Sequence, residues 1–369
     1  MKIAILGTRG IPNNYGGFEQ LAEYLSVFLV KNGYEVTVYN SHNHPYQKKN
    51  WNGVKIVHCW DPEDKWGTAG QFIYDLNCIR HIRKNNFDII LQLGYTSSTV
   101  WGWLLPKNVV VTTNMDGLEW QRSKYSKPVR RFLKYAEKLG VRFSDHWISD
   151  SIGISLYLSD SYNIPSTFIP YGSHLFETPV ADILSKFDLE PYEYDLIVAR
   201  MEPENNIEII LDGYAKSNQN RKFVIIGRTN TPFGKYLVEK FKGNKNIIFK
   251  GGIYDINILN NIRHFSNLYF HGHSVGGTNP SLLEAMASQG LICANDNIFN
   301  KSILGSDAFY FNNQDQVAET INKVNKSDFF NFIENNNLKI KELYDWDNIN
   351  GQYLNHLKEV FNKGVRKGR

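Results

Sequence analysis

The chain has 369 residues, of which 42% are hydrophobic and 21% charged, and its formal net charge is +4. This length predicts about two domains, and the small charge gives no reason to expect nucleic acid as a partner. The first residues carry too short an apolar run for a secretory signal, and no stretch reaches the ~20 apolar residues of a membrane span. We therefore expect a cytoplasmic protein.

The first half alternates short β-branched runs with helical patterns, which is typical of a parallel sheet with crossover helices. The patterns predict strands near 2–6, 35–40, 54–58, 88–93, 109–113 and 146–150, and helices near 17–31, 70–85, 128–143 and 152–162.

A glycine-containing loop, GTRGIPNNYGGFEQLAEYL (7–25), follows the first strand. It lacks the G-x-G-x-x-G fingerprint of dinucleotide-binding folds, which disfavours a dehydrogenase. Arg9 precedes Gly16 and Gly17, whose amides lie at the mouth of the predicted helix, where the helix dipole favours an anion. The alternative is that the two glycines only form the turn into the helix.

A second loop, TTNMDGLEWQRSKY (112–125), combines a proton acceptor, an aromatic ring and a cation within a few residues. These groups suit the binding of an acceptor sugar and of an acidic group next to that sugar. The residues are Asp116, Glu119, Trp120 and Arg122. A turn followed by a packed tryptophan is the alternative.

Residues 124–142 are strongly basic and contain a single acid, Glu137. If a helix begins at Pro128, its apolar residues fall on one side with cations around them, which suits the anionic inner surface of a membrane. A surface helix that packs its apolar stripe on its own domain explains the pattern equally well. The apolar residues are Val129, Phe132, Leu133, Ala136 and Leu139.

The second half repeats the alternation. Strands are predicted near 195–199, 222–226, 246–250, 267–271 and 291–294, and helices near 206–217, 234–242, 255–264, 280–289, 314–324 and 328–343. Residues 1–170 and 171–345 then form two Rossmann-like domains, with a linker near 169–195. A last helix within 346–369 crosses back to the first domain and ends in a basic, disordered tail. Two such domains facing each other place a ligand cleft at the carboxyl ends of both sheets.

Two motifs follow strands of the second domain. In ARMEPENNIEIIL (199–211), Arg200 ends a strand and offers a charged fork that suits phosphate oxygens; pairing with Glu202 or Glu204 is the alternative. In HGHSVGGTNPSLLEAM (271–286), small residues precede a helix that Pro280 can begin.

The amides of Gly276, Gly277, Thr278 and Asn279 form a cradle for phosphate. Glu284, one turn into this helix, is placed to accept hydrogen bonds from ligand hydroxyls, unless it only stabilises the helix.

Two His-x-His pairs, His42/His44 and His271/His273, raise the question of a metal. No third and fourth ligand is evident in the sequence. We therefore predict no metal and no other cofactor.

Three motifs, in this order along the chain, resemble those of the retaining GT-B glycosyltransferases of family 4: GGFE, AR with PENN, and NPSLLEAMASQG. The finer pattern, GTRGIPNNYGGFE, NMDGLEWQRSKY and HGHSVGGTNPSLLEAM, is similar to bacterial rhamnosyltransferases that use dTDP-L-rhamnose. The resemblance covers nearly the whole chain. It implies an α/β fold of two doubly wound parallel-sheet domains facing a central cleft, and transfer of a sugar to a lipid-linked saccharide in bacterial surface polysaccharide synthesis.

The resemblance also implies residue roles. Glu284 would bind the nucleotide ribose, Arg200 the donor diphosphate, and residues 276–279 the phosphate and donor sugar, while Gly16 and Gly17 would lie near diphosphate and acceptor. Two positions depart from the family pattern, because Gly276 stands where an acid is usual and Asn205 where a lysine is usual. Together these changes favour a donor sugar other than the usual hexose, such as a 6-deoxyhexose.

Expelling a nucleotide diphosphate concentrates negative charge on the leaving phosphates, so fixed donors such as Arg200 lower the barrier without a metal. The resemblance implies retention. Asp116, in the 112–125 loop, is our candidate for the residue that positions the acceptor hydroxyl. Three alternatives remain open: a different nucleotide-sugar donor, a sugar-nucleotide epimerase and a non-catalytic sugar-nucleotide-binding protein. The epimerase would convert the donor without an acceptor, and the binding protein would show no turnover.

Overall fold

The computed structural model describes residues 1–14, 16–115, 117–122 and 124–369. The chain divides into two compact units. The first comprises Met1–Gln121, Tyr125–Tyr171 and Trp346–Arg369, and the second comprises Arg122–Lys124 and Gly172–Asp345. Asp116, predicted to position the acceptor, lies outside the described residues.

The first unit is built on a sheet of eight described strands. These are β1 (Lys2–Leu6), β2 (Glu35–Ser41), β3 (Asn50–Trp51), β4 (Val54–Cys59), β5 (Ile89–Leu93), β6 (Val110–Asn114), β7 (His146–Ser149) and β8 (Thr167–Phe168). Their spatial order is β3-β4-β2-β1-β5-β6-β7-β8, and each pairing is parallel except that of β3 with β4. The connecting helices are α1 (Gly17–Lys31), α2 (Glu63–Trp66), α3 (Gly70–Ile82), α4 (Lys127–Phe143) and α5 (Ile152–Tyr162).

The second unit has a smaller sheet, in which the six described strands are all parallel. They are β9 (Tyr194–Val198), β10 (Lys222–Ile226), β11 (Ile247–Phe249), β12 (Tyr269–His271), β13 (Ile292–Asn295) and β14 (Phe309–Phe311), in the order β11-β10-β9-β12-β13-β14. The helices are α6 (Ile207–Lys216), α7 (Pro232–Phe241), α8 (Ile256–His264), α9 (Pro280–Ala287), α10 (Ile298–Leu304), α11 (Gln314–Lys323) and α12 (Phe330–Lys339), which a π-helical turn, Ile340–Tyr344, extends.

Each unit has its own apolar core because the central strands are covered on both faces. Ile3, Ile5, Ile90 and Val111 of the first sheet are fully or almost fully buried. In the second sheet Ile197, Phe223, Phe270 and Cys293 form one core cluster with the helices around them. The free thiols of Cys59, Cys78 and Cys293 are all buried.

The last helix, α13 (Trp346–Lys363), belongs to the first unit. Trp346 stacks on Tyr24 of α1 at a centroid distance of 4.8 Å. Asn114 of β6 donates a hydrogen bond to the hydroxyl of Tyr353 at 2.9 Å, and His356 contacts the Thr112 hydroxyl at 2.8 Å. The C-terminal helix thus packs into the core of the first unit, which also contains the N-terminus of the chain.

The prediction of a disordered tail is wrong, because two arginines fix it to Asp145. The amide of Arg366 donates to Asp145 Oδ1 at 2.8 Å, and Nη1 of Arg369 lies 3.1 Å from Asp145 Oδ2. The side chain of Arg369 is 5% exposed, and the guanidinium of Arg366 lies over the Trp147 ring. The basic composition of the tail matches a buried carboxylate that is distant in the sequence.

No helix within the described part of the chain is both long enough and apolar enough to cross a membrane. The basic helix α4 divides its apolar residues between two environments. Leu133 and Ala136 are buried, whereas Val129 and Phe132 are 40% and 38% exposed. Only part of the predicted apolar face of α4 therefore packs in the core, and the rest is exposed.

Candidate active site

The strand order of the second unit reverses between β9 and β12, which pair side by side. In open parallel sheets, ligands bind outside the carboxyl ends of the strands at this switch point. Arg200 follows β9, and residues 272–279 follow β12. Sequence reasoning thus selected two segments that the sheet topology brings to one place.

The segment 204–206 ties these two loops together. Asn205 donates from Nδ2 to the Arg200 carbonyl at 2.7 Å, and its Oδ1 accepts from Nδ1 of His273 at 2.8 Å. Asn206 donates to the carbonyl of Gly272 at 2.8 Å, and the Ser274 hydroxyl donates to the carbonyl of Glu204 at 2.8 Å. Asn205, at the position where the resemblance implies a lysine, therefore links the two loops through hydrogen bonds and adds no charge.

The backbone of the predicted phosphate loop includes one position that favours glycine. Gly276 has φ of +138°, and a Cβ added there would lie 2.8 Å from Nε2 of His273, so a larger residue would be both strained and crowded. Asn279 caps α9 by accepting from the Ser281 amide at 2.9 Å, and Pro280 begins the helix. Gly277 is partly exposed and Thr278 is buried.

Arg200 lies on the surface of the second unit. Within the described residues its guanidinium forms no ion pair, so the alternative pairing with Glu202 or Glu204 is not observed. An exposed guanidinium at the carboxyl end of a parallel strand is available to an anionic ligand.

Glu284 is held by a residue that sequence reasoning missed. Nη2 of Arg263, in α8, donates to Glu284 Oε2 at 2.6 Å, and Nη1 donates to Asn260 at 2.9 Å. The Arg263 side chain is 1% exposed, whereas that of Glu284 is 18% exposed. The Glu284 carboxylate is thus held from the protein interior by Arg263, while part of the Glu284 side chain remains exposed to solvent.

Two further cations join the second unit from the segment 122–124. Nη1 of Arg122 lies 3.8 Å from Glu204 Oε1, and Nζ of Lys124 lies 4.0 Å from Glu202 Oε1. Burial, followed by the positive charges of Arg200 and Arg122, lowers the pKa of Lys124. Arg122, predicted to bind acceptor, therefore lies near the predicted donor residues, and Lys124 adds a cation that sequence reasoning did not assign.

Burial disfavours the charged forms of His271, the last residue of β12, and of His273 in the loop that follows. Burial lowers the pKa of His271 to about 3, and burial followed by the charges of neighbouring groups lowers the pKa of His273 well below its usual range. The buried Nε2 atom of His271 has no hydrogen-bond partner among the described residues. No group of three His, Cys, Asp or Glu side chains in the described ranges is arranged to hold a metal ion.

In the first unit, the side chain of Glu19 lies at the start of α1, where the sequence predicts that Gly16 and Gly17 bind an anion. Gly16 precedes α1, which begins at Gly17, and no side chain caps the helix. Glu19 lies in the first turn, is 4% exposed and accepts a hydrogen bond from the Arg9 amide at 2.8 Å. Burial raises the pKa of Glu19. An anion at Gly16 and Gly17 would have to share this helix end with the Glu19 carboxyl group.

Arg9 forms a bidentate pair with Glu63 of α2, at 2.8 Å and 2.6 Å. Its predicted role in binding the acceptor would therefore require a ligand that competes with this carboxylate or lies beside it.

Glu119 and Trp120 begin a 3₁₀ turn that packs on α4. The indole NH of Trp120 donates to buried Glu137 at 3.0 Å, and Nζ of Lys134 lies 4.5 Å from the ring centroid. Glu137 also accepts from Lys134, Tyr157 and Tyr162. Trp120 is thus a packed ring, as the alternative held, although it remains partly exposed.

Two family models match the chain in succession. Residues 1–174 match a domain of unknown function (DUF1972), and residues 185–341 match the glycosyl transferases group 1. The second half of the chain is thus similar to the glycosyl transferases group 1. A comparison with curated proteins finds no match.

Solved structures match the chain over both units. Sucrose-phosphate synthase from Thermosynechococcus elongatus has a TM-score of 0.78 at 16% identity, covering 98% of this chain and 100% of its own. Anabaena HepE in complex with UDP and glucose has a TM-score of 0.73 at 14% identity, covering 97% and 100%. A UDP-forming trehalose-phosphate synthase from Burkholderia vietnamiensis has a TM-score of 0.72 at 12% identity, covering 98% of each chain. The fold is that of the GT-B glycosyltransferases, as the resemblance implied.

Proposed function

We propose that this protein is a glycosyltransferase that takes its sugar from a nucleotide-sugar donor bound at the carboxyl ends of β9 and β12. The arrangement of Arg200, the 276–279 amides and the anchored Glu284 is the observation that carries the proposal. Arg200 and the amides would bind the diphosphate, and Glu284 the ribose hydroxyls. The UDP-glucose bound by HepE supports the same class of donor.

We further propose that the donor is dTDP-L-rhamnose and that the acceptor is a lipid-linked saccharide of a bacterial surface polysaccharide. Support comes from the motif pattern and from Gly276, which offers the donor sugar no carboxylate. The competing donor is UDP-glucose, since UDP or UDP-glucose is bound in the HepE structures.

In the proposed reaction the bond from the anomeric carbon to the diphosphate oxygen breaks while a bond to the acceptor oxygen forms on the same face. The leaving phosphate takes the acceptor proton, and the configuration is retained. Arg200 and the loop amides would stabilise the charge that develops on the phosphate, and a single such donor contributes about 3 kcal/mol. Asp116 would position the acceptor hydroxyl. No metal takes part in this scheme.

We also propose peripheral contact of α4 with an anionic membrane surface. Val129, Phe132 and Tyr135 are 40%, 38% and 56% exposed, and cations flank them. Apolar side chains beside cations are the combination that binds interfacially to anionic lipid. The test is sedimentation with phosphatidylglycerol vesicles, in which Phe132→Ser should weaken binding and phosphatidylcholine vesicles should bind weakly.

The proposed donor is tested by thermal unfolding with dTDP-L-rhamnose, dTDP, UDP-glucose and UDP, because a ligand that binds only the folded state raises the unfolding temperature. We expect the dTDP compounds to stabilise the protein most. Stabilisation by UDP-glucose alone would replace the rhamnose donor with glucose. Incubation of the bound donor without acceptor separates an epimerase, which would produce a new sugar nucleotide. Tight donor binding without transfer to any lipid-linked acceptor would indicate a non-catalytic protein.

A further inference from the structure

An open pocket of about 300 Å³ lies beside the first turns of α4, and four of the five residues that line it carry a positive charge. We call it the α4 pocket. It is lined by Trp120, Lys127, Arg130, Arg131 and Lys134. Its volume is at the lower end of the range for small-molecule sites. It belongs to the first unit and involves none of the residues proposed to bind the donor.

The α4 pocket has an excess of positive charge that the described residues leave unneutralised. Lys127, Arg130 and Arg131 form no ion pair with any carboxylate in the described ranges, whereas Lys134 is paired with buried Glu137 at 2.8 Å. Arg130 uses Nε to donate to the Trp120 carbonyl at 2.6 Å, so its planar group is fixed while the Nη atoms keep their donors. This arrangement suits an anion with several oxygen atoms.

The helix itself adds to this charge. α4 has no acid in its first turn, and its N-cap residue, Ser126, makes no side-chain capping bond. Helices favour acids at this end because the dipole is positive there. Three cations at the amino end of α4 oppose that preference, and a sequence that breaks a local rule without compensation within the fold often marks a functional site.

We propose that the α4 pocket binds the diphosphate group of the acceptor. That the ligand is the acceptor rests on the proposed transfer to a lipid-linked saccharide. The cations and the amino end of α4 bind the diphosphate oxygens, and Trp120 covers one side of the group. Binding at this pocket fixes one end of the acceptor and leaves its sugar free to react elsewhere.

The test is calorimetric titration with geranyl diphosphate, a water-soluble prenyl diphosphate, in the absence of nucleotide sugar. The variant Lys127→Gln with Arg131→Gln removes two exposed pocket cations. The matched control, Lys138→Gln with Arg142→Gln, removes two exposed cations of the same helix that do not line the pocket. We expect the first variant to weaken binding at least about tenfold and the control to stay within about twofold of wild type. Equal weakening in both variants, or none in either, would overturn the proposal.

Two further titrations identify the source of the phosphate. Inorganic pyrophosphate carries the same diphosphate group, so it should bind at the same pocket and lose affinity in the same variant; pyrophosphate binding that the pocket variant leaves unchanged would show that these cations do not bind the diphosphate oxygens. Binding to phosphatidylglycerol vesicles should weaken by a similar amount in the two variants. If only the pocket variant loses vesicle binding, and the wild-type protein does not bind geranyl diphosphate, the pocket binds lipid headgroups instead. Titration with dTDP and UDP tests the donor site separately, and both variants should leave nucleotide binding unchanged.

Discussion

Replacing Glu284 and Arg200 by alanine should reduce sugar transfer in both cases but reduce stability in only one. Glu284 is the partner of Arg263, whose guanidinium is 1% exposed. Removing one partner of a buried ion pair costs about 3–5 kcal/mol because the remaining charge is left uncompensated. The Glu284 side chain is 18% exposed, so we take the lower end of that range, about 3 kcal/mol.

Glutamine at position 284 gives a graded comparison. It keeps a hydrogen-bond acceptor for Arg263 but loses the charge, and charge-assisted bonds are roughly twice as strong as neutral ones. We therefore expect Glu284→Gln to cost about half as much as Glu284→Ala, about 1.5 kcal/mol. Arg200 is exposed and forms no ion pair within the described residues, so Arg200→Ala should change stability by less than about 0.5 kcal/mol.

The assay pairs urea unfolding, followed by circular dichroism, with initial rates of transfer from the donor that the thermal panel identifies. Both alanine variants should lower transfer at least about tenfold, which corresponds to about 1.4 kcal/mol of transition-state stabilisation. Unchanged unfolding of Glu284→Ala would refute the ion-pair reasoning. Wild-type rates in both variants would refute the site assignment.

Three other substitutions test separate parts of the structure. Burial, with a smaller contribution from His146, lowers the pKa of His356 to about 4, so stability is complete above about pH 6.5 and falls by about 1.4 kcal/mol per pH unit towards pH 4. His356→Gln should therefore lose less stability than wild type between pH 7 and 4 in urea titrations, and parallel curves would contradict this. Gly276→Ala should cost about 1–3 kcal/mol because of its positive φ and its contact with His273; an unfolding midpoint equal to that of wild type would exclude the loop conformation. Asp145→Asn should release the tail, raising hydrogen exchange at residues 364–369, and unchanged protection would show that the Asp145 contacts do not hold it.

The repeated strand and helix patterns were sufficient to predict most long elements within a few residues. The strand predicted near 2–6 is β1, and the helix predicted near 128–143 is α4. The two-residue strands β3 and β8, the three-residue β14, the four-residue α2 and the seven-residue α10 were missed. Elements this short carry too few residues for a hydrophobic period to emerge, and their conformation depends on the neighbouring sheet.

At the candidate site, the residues that could be predicted are those whose sequence neighbours indicate their role. The residues that were missed act through a contact with a residue distant in the sequence. Gly276 and Asn279 precede a helix, and their neighbours in the sequence reveal their geometry. Arg263 lies 21 residues before Glu284 and is one cation in an ordinary amphipathic helix. Glu19 was visible in the GGFE motif, but its burial against the Arg9 amide follows only from the folded loop. The tail shows the same limit, since nothing near Arg369 indicates Asp145 as its partner.

The most direct test of the donor site is a crystal structure of the protein with thymidine diphosphate bound. We expect the diphosphate to contact Arg200 and the amides of residues 276–279, the ribose hydroxyls to contact Glu284, and no metal ion to lie between protein and phosphate. A nucleotide bound elsewhere, or held through a coordinated cation, would contradict this expectation.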